Sequence, residues 1–226
     1  MGEERGEMTP TKLVLFIAML FTFAQAIAYF YAAILLPMAV LYGILCLVFV
    51  VLIFISLNLI GLGPVKLPYW WWLMLIIGVL MIIFDYLNGG DYFVGTLILI
   101  AVLMELKVGD KIKLGGCKFV VFFGILFGIW DCIVIFINFV PGAELYLVNA
   151  IFGLIILIIL LILVFDLFDI KIPYKCWVVL IIAFVIYTFV QPWAILLNGI
   201  GTQYPVVGFG GMILMIGFVC CAWFKE

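Results

Sequence analysis

Among the polar side chains within long apolar runs, the ones on which chemistry could be built are Asp131, Asp85, Gln25 and Gln191. Asp131 lies 13 residues beyond Lys118. That is about 20 Å along a helix, near or just past the centre of a ~30 Å hydrocarbon core. No lysine, arginine or histidine lies at that depth to neutralise it. A carboxyl group so placed is expected to be protonated, hydrated in a cavity, or bound to a cation.

Gly124, Gly128 and Asp131 fall at i, i+4 and i+7, so one helix face carries a GxxxG pattern beneath the acid. Small residues in that pattern allow close helix approach. An equivalent face appears earlier in the chain as Ala18, Thr22 and Gln25, again small, small and polar. If the two stretches are related by an axis along the membrane normal, Gln25 and Asp131 approach it from opposite sides and form a polar site at the repeat interface. The same geometry allows a buried Asp–Gln hydrogen bond that only fixes packing.

Asp85 stands 16 residues past Tyr69, and Asp91 follows the next turn. Both are expected at the outer rim, in contact with water. Gln191, like Asn58, Asn138, Asn149 and Asn198, sits toward a segment end, where capping is the ordinary role. Gln191 is also followed by Pro192 and Trp193. A proline there frees a backbone carbonyl and can kink or break the helix, a device of transporters, although simple kinks are commoner. Asp166 and Asp169, ahead of Lys171, read as a solvated helix end rather than a metal-binding pair.

Absences thin the catalytic classes. The chain has no histidine and one serine, Ser56, which removes Ser-His nucleophiles, the usual zinc sets and most haem ligation. It has no phosphate-binding glycine loop, no lysine at mid-membrane for a Schiff base, and one arginine, Arg5. Gly89-Gly90-Asp91 resembles only part of the GxGD motif of intramembrane aspartyl proteases, because the first glycine is displaced. Asp85 and Asp131 are placed at different depths, which argues against a dyad. The six cysteines lie in or beside apolar runs without a C-x-x-C pair and read as small buried hydrophobes. The expectation is a non-enzyme with no cofactor, no metal centre and no nucleic-acid partner.

The elements that must hold these groups are apolar segments at about 12–32, 35–59, 69–87, 92–106, 117–140, 144–165, 174–197 and 205–224. With 70% hydrophobic and 10% charged residues and a mean hydropathy of +1.52, the chain lies far outside soluble composition. Most segments match the ~20 residues of a spanning helix. The fourth is short, and it must thin the bilayer, borrow Val108 or pack inside the bundle. Ala24-Gln25-Ala26 has the form of a signal cleavage site, but Glu3, Glu4 and Glu7 ahead of it oppose that reading.

The basic residues set the topology. With eight spans, Arg5, Lys12, Lys66, Lys107, Lys111, Lys113, Lys118, Lys171, Lys175 and Lys225 all fall on one side. The positive-inside rule then puts both termini in the cytoplasm. Tyr69 to Trp72 and Tyr174 to Trp177 fall at the cytoplasmic interface, where aromatic belts are expected.

Lys12 to Ile27 aligns without gaps on Lys118 to Ile133, and Val65 to Trp72 aligns on Ile170 to Trp177. The expected fold is therefore an all-α integral membrane protein with eight transmembrane helices, N-in/C-in, built as a 4+4 internal repeat of the same orientation. Its parts are a cytoplasmic tail (1–11), a first four-helix repeat (12–106), a cytoplasmic linker (107–116) and a second repeat (117–226). Two functions fit. One is a small carrier or channel-like transporter of the cell membrane, proton- or cation-coupled, with a polar site at Asp131, Gln25, Gln191 and Asp85. The other is a non-catalytic structural subunit whose apolar surface meets the bilayer, further copies of itself or other membrane subunits.

Overall fold

The computed structural model describes residues 8–34, 37–57, 71–88, 92–108, 114–139, 141–142, 144–166, 175–200 and 207–224. Among them every regular element is helical. The chain divides into two compact units, Met1–Lys107 and Val108–Glu226. Lys66, Asp91, Asn58, Asp169, Lys171, Lys111, Lys113, Lys225 and the pair Tyr69-Trp70 lie outside the described residues.

The first unit holds α1 (Pro10–Ala32), α2 (Ala39–Leu57), α3 (Trp71–Asn88) and α4 (Phe93–Glu105). Thr9 starts α1: its hydroxyl accepts the Lys12 amide at 3.3 Å, and Pro10 occupies the position where a missing N–H costs nothing. Both α1 and α2 then run uninterrupted, because straight-chain and branched apolar residues leave the backbone no competing partner. α1 packs on α2 and α4, and α3 packs on α4. The short segment therefore lies inside the bundle: eight of the 13 residues of α4 are buried. Close approach depends on glycine, since a Cβ on Gly95 would lie 2.8 Å from the Gly78 carbonyl oxygen.

The second unit holds α5 (Gly116–Ile137), α6 (Glu144–Phe165), α7 (Cys176–Val185), a π-helical turn (Ile186–Val190), α8 (Gln191–Ile200) and α9 (Gly210–Phe224). α9 packs on α5 and α7, α6 packs on α5, and the π turn touches both α6 and α9. The GxxxG face of α5 is used for close packing. A Cβ on Gly124 would lie 2.8 Å from the Leu214 amide nitrogen, and one on Gly128 would lie 2.9 Å from the Leu157 side chain. The corresponding Ala18 and Thr22 of α1 are fully buried, with the Thr22 hydroxyl donating to the Ala18 carbonyl at 2.8 Å.

The break anticipated at Gln191-Pro192 takes a specific form. The Gln191 amide donates to the Ile186 carbonyl five residues back, and Pro192 has no amide to continue the α ladder. The result is a wide turn rather than a gap, and Cys176–Gly199 remains one continuous apolar run of 24 residues.

Five helices are long and apolar enough to cross a membrane: Pro10–Ala32, Ala39–Leu57, Gly116–Ile137, Glu144–Phe165 and Cys176–Gly199. The other three apolar helices, Trp71–Leu87, Phe93–Glu105 and Gly210–Phe224, are shorter. The eight segments read from the sequence thus divide into five of full length and three reduced ones. At a helix end of the second unit, Lys118 Nζ lies 3.7 Å from Asp166, whose side chain is 79% exposed. This is the solvated terminus expected of that acid.

α9 and the π turn meet backbone to backbone. A Cβ on Gly211 would lie 2.8 Å from the Tyr187 Cα and amide nitrogen, whereas one on Gly199 meets nothing within 4 Å. Gly211→Ala is therefore expected to lower stability by roughly 1–3 kcal/mol through forced separation of the helices. Gly199→Ala should be neutral, and thermal unfolding of the two variants in detergent measures the difference.

Candidate functional site

Among the described residues each unit holds a buried polar cluster, and the two are built differently. In the first, Asp85 sits in the last turn of α3 and is fully buried. This corrects its expected place at a wetted rim. Counting residues from Tyr69 located it along the helix axis but not around it, and its face is turned inward against α1. Gln25 Nε2 donates to Asp85 Oδ1, and the Tyr29 hydroxyl donates to the same oxygen at 3.1 Å. Gln25 and Tyr29 are four residues apart on α1, so one helix face delivers both donors.

α2 closes the cluster. Cys46 is fully buried within electrostatic range of the Asp85 carboxyl. The ring of Tyr42 packs on Tyr29 at 5.9 Å and on Phe84 at 5.7 Å. Gln25 itself is half-buried, and its Oε1 is buried with no hydrogen-bond partner among the described residues. An amide oxygen left so costs about 1–3 kcal/mol, so the cluster contains an unused acceptor beside a carboxyl group.

In the second unit Asp131 is fully buried on α5. Its Oδ1 accepts the Gly208 amide at 2.6 Å and its Oδ2 accepts the Gly210 amide at 3.2 Å. Gly210 is the first residue of α9, so a carboxylate on one helix caps the N-terminus of another. The amides at a helix start have no partner within the helix and carry the positive end of its dipole, which suits an anion. Glycine is required at both ends of this cap. Gly208 has φ +87°, and a side chain on Gly210 would collide with the Gly128 backbone.

Gln191 lies beside this cap, with its Cγ 3.6 Å from the position a Gly208 Cβ would take. It is 5% exposed, and its Oε1 has no hydrogen-bond partner among the described residues. Of the residues singled out from sequence, Gln25 and Asp85 come together in the first unit. Asp131 and Gln191 come to the same loop in the second. Gln25 and Asp131 each find their partners inside their own unit.

Sequence reading missed Tyr29, Cys46, Gly208 and Gly210. Tyr29 was within reach, because it extends the face of Ala18, Thr22 and Gln25 by one turn. The two glycines were not, because a backbone amide has no sequence signature. Among the described residues no group of three or more cysteine, aspartate or glutamate side chains is placed to hold a metal.

The cap gives Asp131 a measurable structural role. Asp131→Ala leaves two amides in a dry interior without an acceptor and is expected to cost about 2–5 kcal/mol. Asp131→Asn retains one acceptor oxygen and should cost less. Unfolding temperature and the yield of monodisperse protein in detergent rank the two. Comparison with protein-family models, with curated proteins and with solved structures gives no match, so the reading of function rests on these clusters alone.

Proposed function

We propose that the protein is a small carrier or channel-like transporter of the cell membrane, proton- or cation-coupled, whose exchanging group is Asp85. The observation that carries this reading is how the two buried acids are held. Both oxygens of Asp131 are fixed by backbone amides, that of Gly210 at the first residue of α9 and that of Gly208 just before it. Asp85 is held by side chains, Gln25 and Tyr29, which can rotate away and return. Only the second arrangement lets a carboxyl group exchange its proton or cation without loss of fold.

The architecture we propose for it is eight spans in two similarly built four-helix halves, with both termini cytoplasmic. Support comes from each unit taken by itself. Within each, the first helix packs on the second and fourth, and the fourth packs on the third. Aligned positions also exchange an acid for an amide. The first helices carry Gln25 and Asp131, and the third segments carry Asp85 and Gln191 at neighbouring slots.

A second reading is favoured by a different observation. The dry cap at Asp131 and the backbone contacts of Gly124, Gly210 and Gly211 are what a non-catalytic membrane subunit needs to stay rigid. Such a subunit would use its apolar surface against further copies or other membrane proteins.

Carbodiimide labelling of the purified full chain, located by mass spectrometry, separates the two. The carrier reading expects Asp85 to be modified with a rate that depends on pH or is suppressed by a cation, while Asp131 stays unmodified. Absence of labelling at Asp85 under every folding condition would remove the carrier reading and leave the assembly subunit.

A further inference from the structure

The first cluster also carries information about which ion it serves. This inference rests on the carrier reading above and deepens it. We infer that the coupling ion is the proton, and that the Gln25 amide is the positioning group that reverses direction when Asp85 takes it up.

Gln25 and Tyr29 both donate to Asp85 Oδ1. Two donors on one oxygen suit a carboxylate, which only accepts. When a proton from the aqueous phase forms an O–H bond on Oδ1, that oxygen becomes a donor and one of its two donors leaves. Gln25 is equipped to do so. Its Oε1 is buried with no hydrogen-bond partner among the described residues, and a half-turn of the terminal amide exchanges nitrogen for oxygen. The Nε2–H to carboxylate bond breaks, and an Asp85 O–H to Gln25 Oε1 bond replaces it. Tyr29 keeps its place, because a phenol can donate to either form.

A metal cation fits the same cluster poorly. Hard cations take about six or more oxygen ligands. The cluster offers the carboxyl, one amide oxygen and one phenol, and its remaining member is the soft thiol of Cys46. Among the described residues, the charge-bearing groups facing Asp85 include Tyr29 from α1, and Cys46 from α2 with Tyr42 behind it. On α4 no titratable residue occurs between Phe93 and Met104, and Tyr86 of α3 itself is 71% exposed. No lysine or arginine occurs between Lys12 and Lys66 or between Lys66 and Lys107. Lys12 stands at the start of α1, 13 residues before Gln25, so no lysine or arginine of these helices lies at the level of Asp85, and the proton is the ion we assign to it.

The chain has three glutamines, Gln25, Gln191 and Gln203, which makes the amide observable. Infrared difference spectra between high and low pH would be recorded on the full chain in lipid vesicles with carbon-13-labelled glutamine. The expected result is a protonated-carboxyl band that grows as pH falls, disappears in Asp85→Asn and shifts in Asp85→Glu. A labelled amide band should shift over the same pH range, and that shift should be lost in Gln25→Leu. Sodium or potassium added at fixed pH should leave both bands unchanged.

A titrating Asp85 carboxyl beside a silent glutamine amide would overturn the reversal while leaving the carrier reading in place. Loss of the carboxyl band on adding sodium or potassium would overturn the proton as the ion. A carboxyl band that never changes with pH would overturn this inference and the carrier reading together.

Discussion

Hydrocarbon supplies no hydrogen bonds, so every polar group within these helices must be answered by the protein itself. The start of α9 is where that constraint is most severe. Its first residue is buried, and Asp131 answers the Gly210 amide and that of Gly208 just before it from a different helix. The rest of the second unit follows. Gly210 must lack a side chain so that α9 can start against Gly128, and Gly124 must lack one so that Leu214 can pass. The π turn must widen the preceding helix, because Gly211 lies on the backbone of Tyr187. One carboxylate, three glycines and one missing proline amide form a single solution to the same problem.

The first unit meets the constraint with side chains. Gln25 and Tyr29 both donate to Asp85, which sits in the last turn of α3. Side-chain bonds are individually weaker commitments than a capped helix, because either partner can find another rotamer without moving the backbone. The two buried acids therefore differ in what their loss would do. One anchors the beginning of a helix and the other joins two helices through a breakable bridge.

Much of the architecture was legible in the sequence, because lipid-facing helices need only be long and apolar. The segments and the breakers between them place the helix ends within a few residues, and the GxxxG face of α5 is used for close packing at Gly124 and Gly128. The short fourth segment had three ways to exist, and the burial of α4 accords with packing inside the bundle. What could not be read was rotation about each axis. Residue counting gave depth alone, so Asp85 was expected in water and is dry. Nor could sequence pair a carboxylate with amides 77 and 79 positions away, since any residue can supply an amide.

The reduced length of the innermost helices has an electrical meaning. α4 has 13 residues and α9 has 15, which correspond to about 20 Å and 22 Å of rise. A hydrocarbon core is about 30 Å thick. In the eight-span arrangement proposed above, these two helices would bridge the low-dielectric slab with less helix than α1 or α6, and polar groups and headgroups would reach deeper from their ends. A membrane voltage falls where the dielectric is lowest, and there it would fall over a shorter distance. The local field at these two helices would be correspondingly steeper.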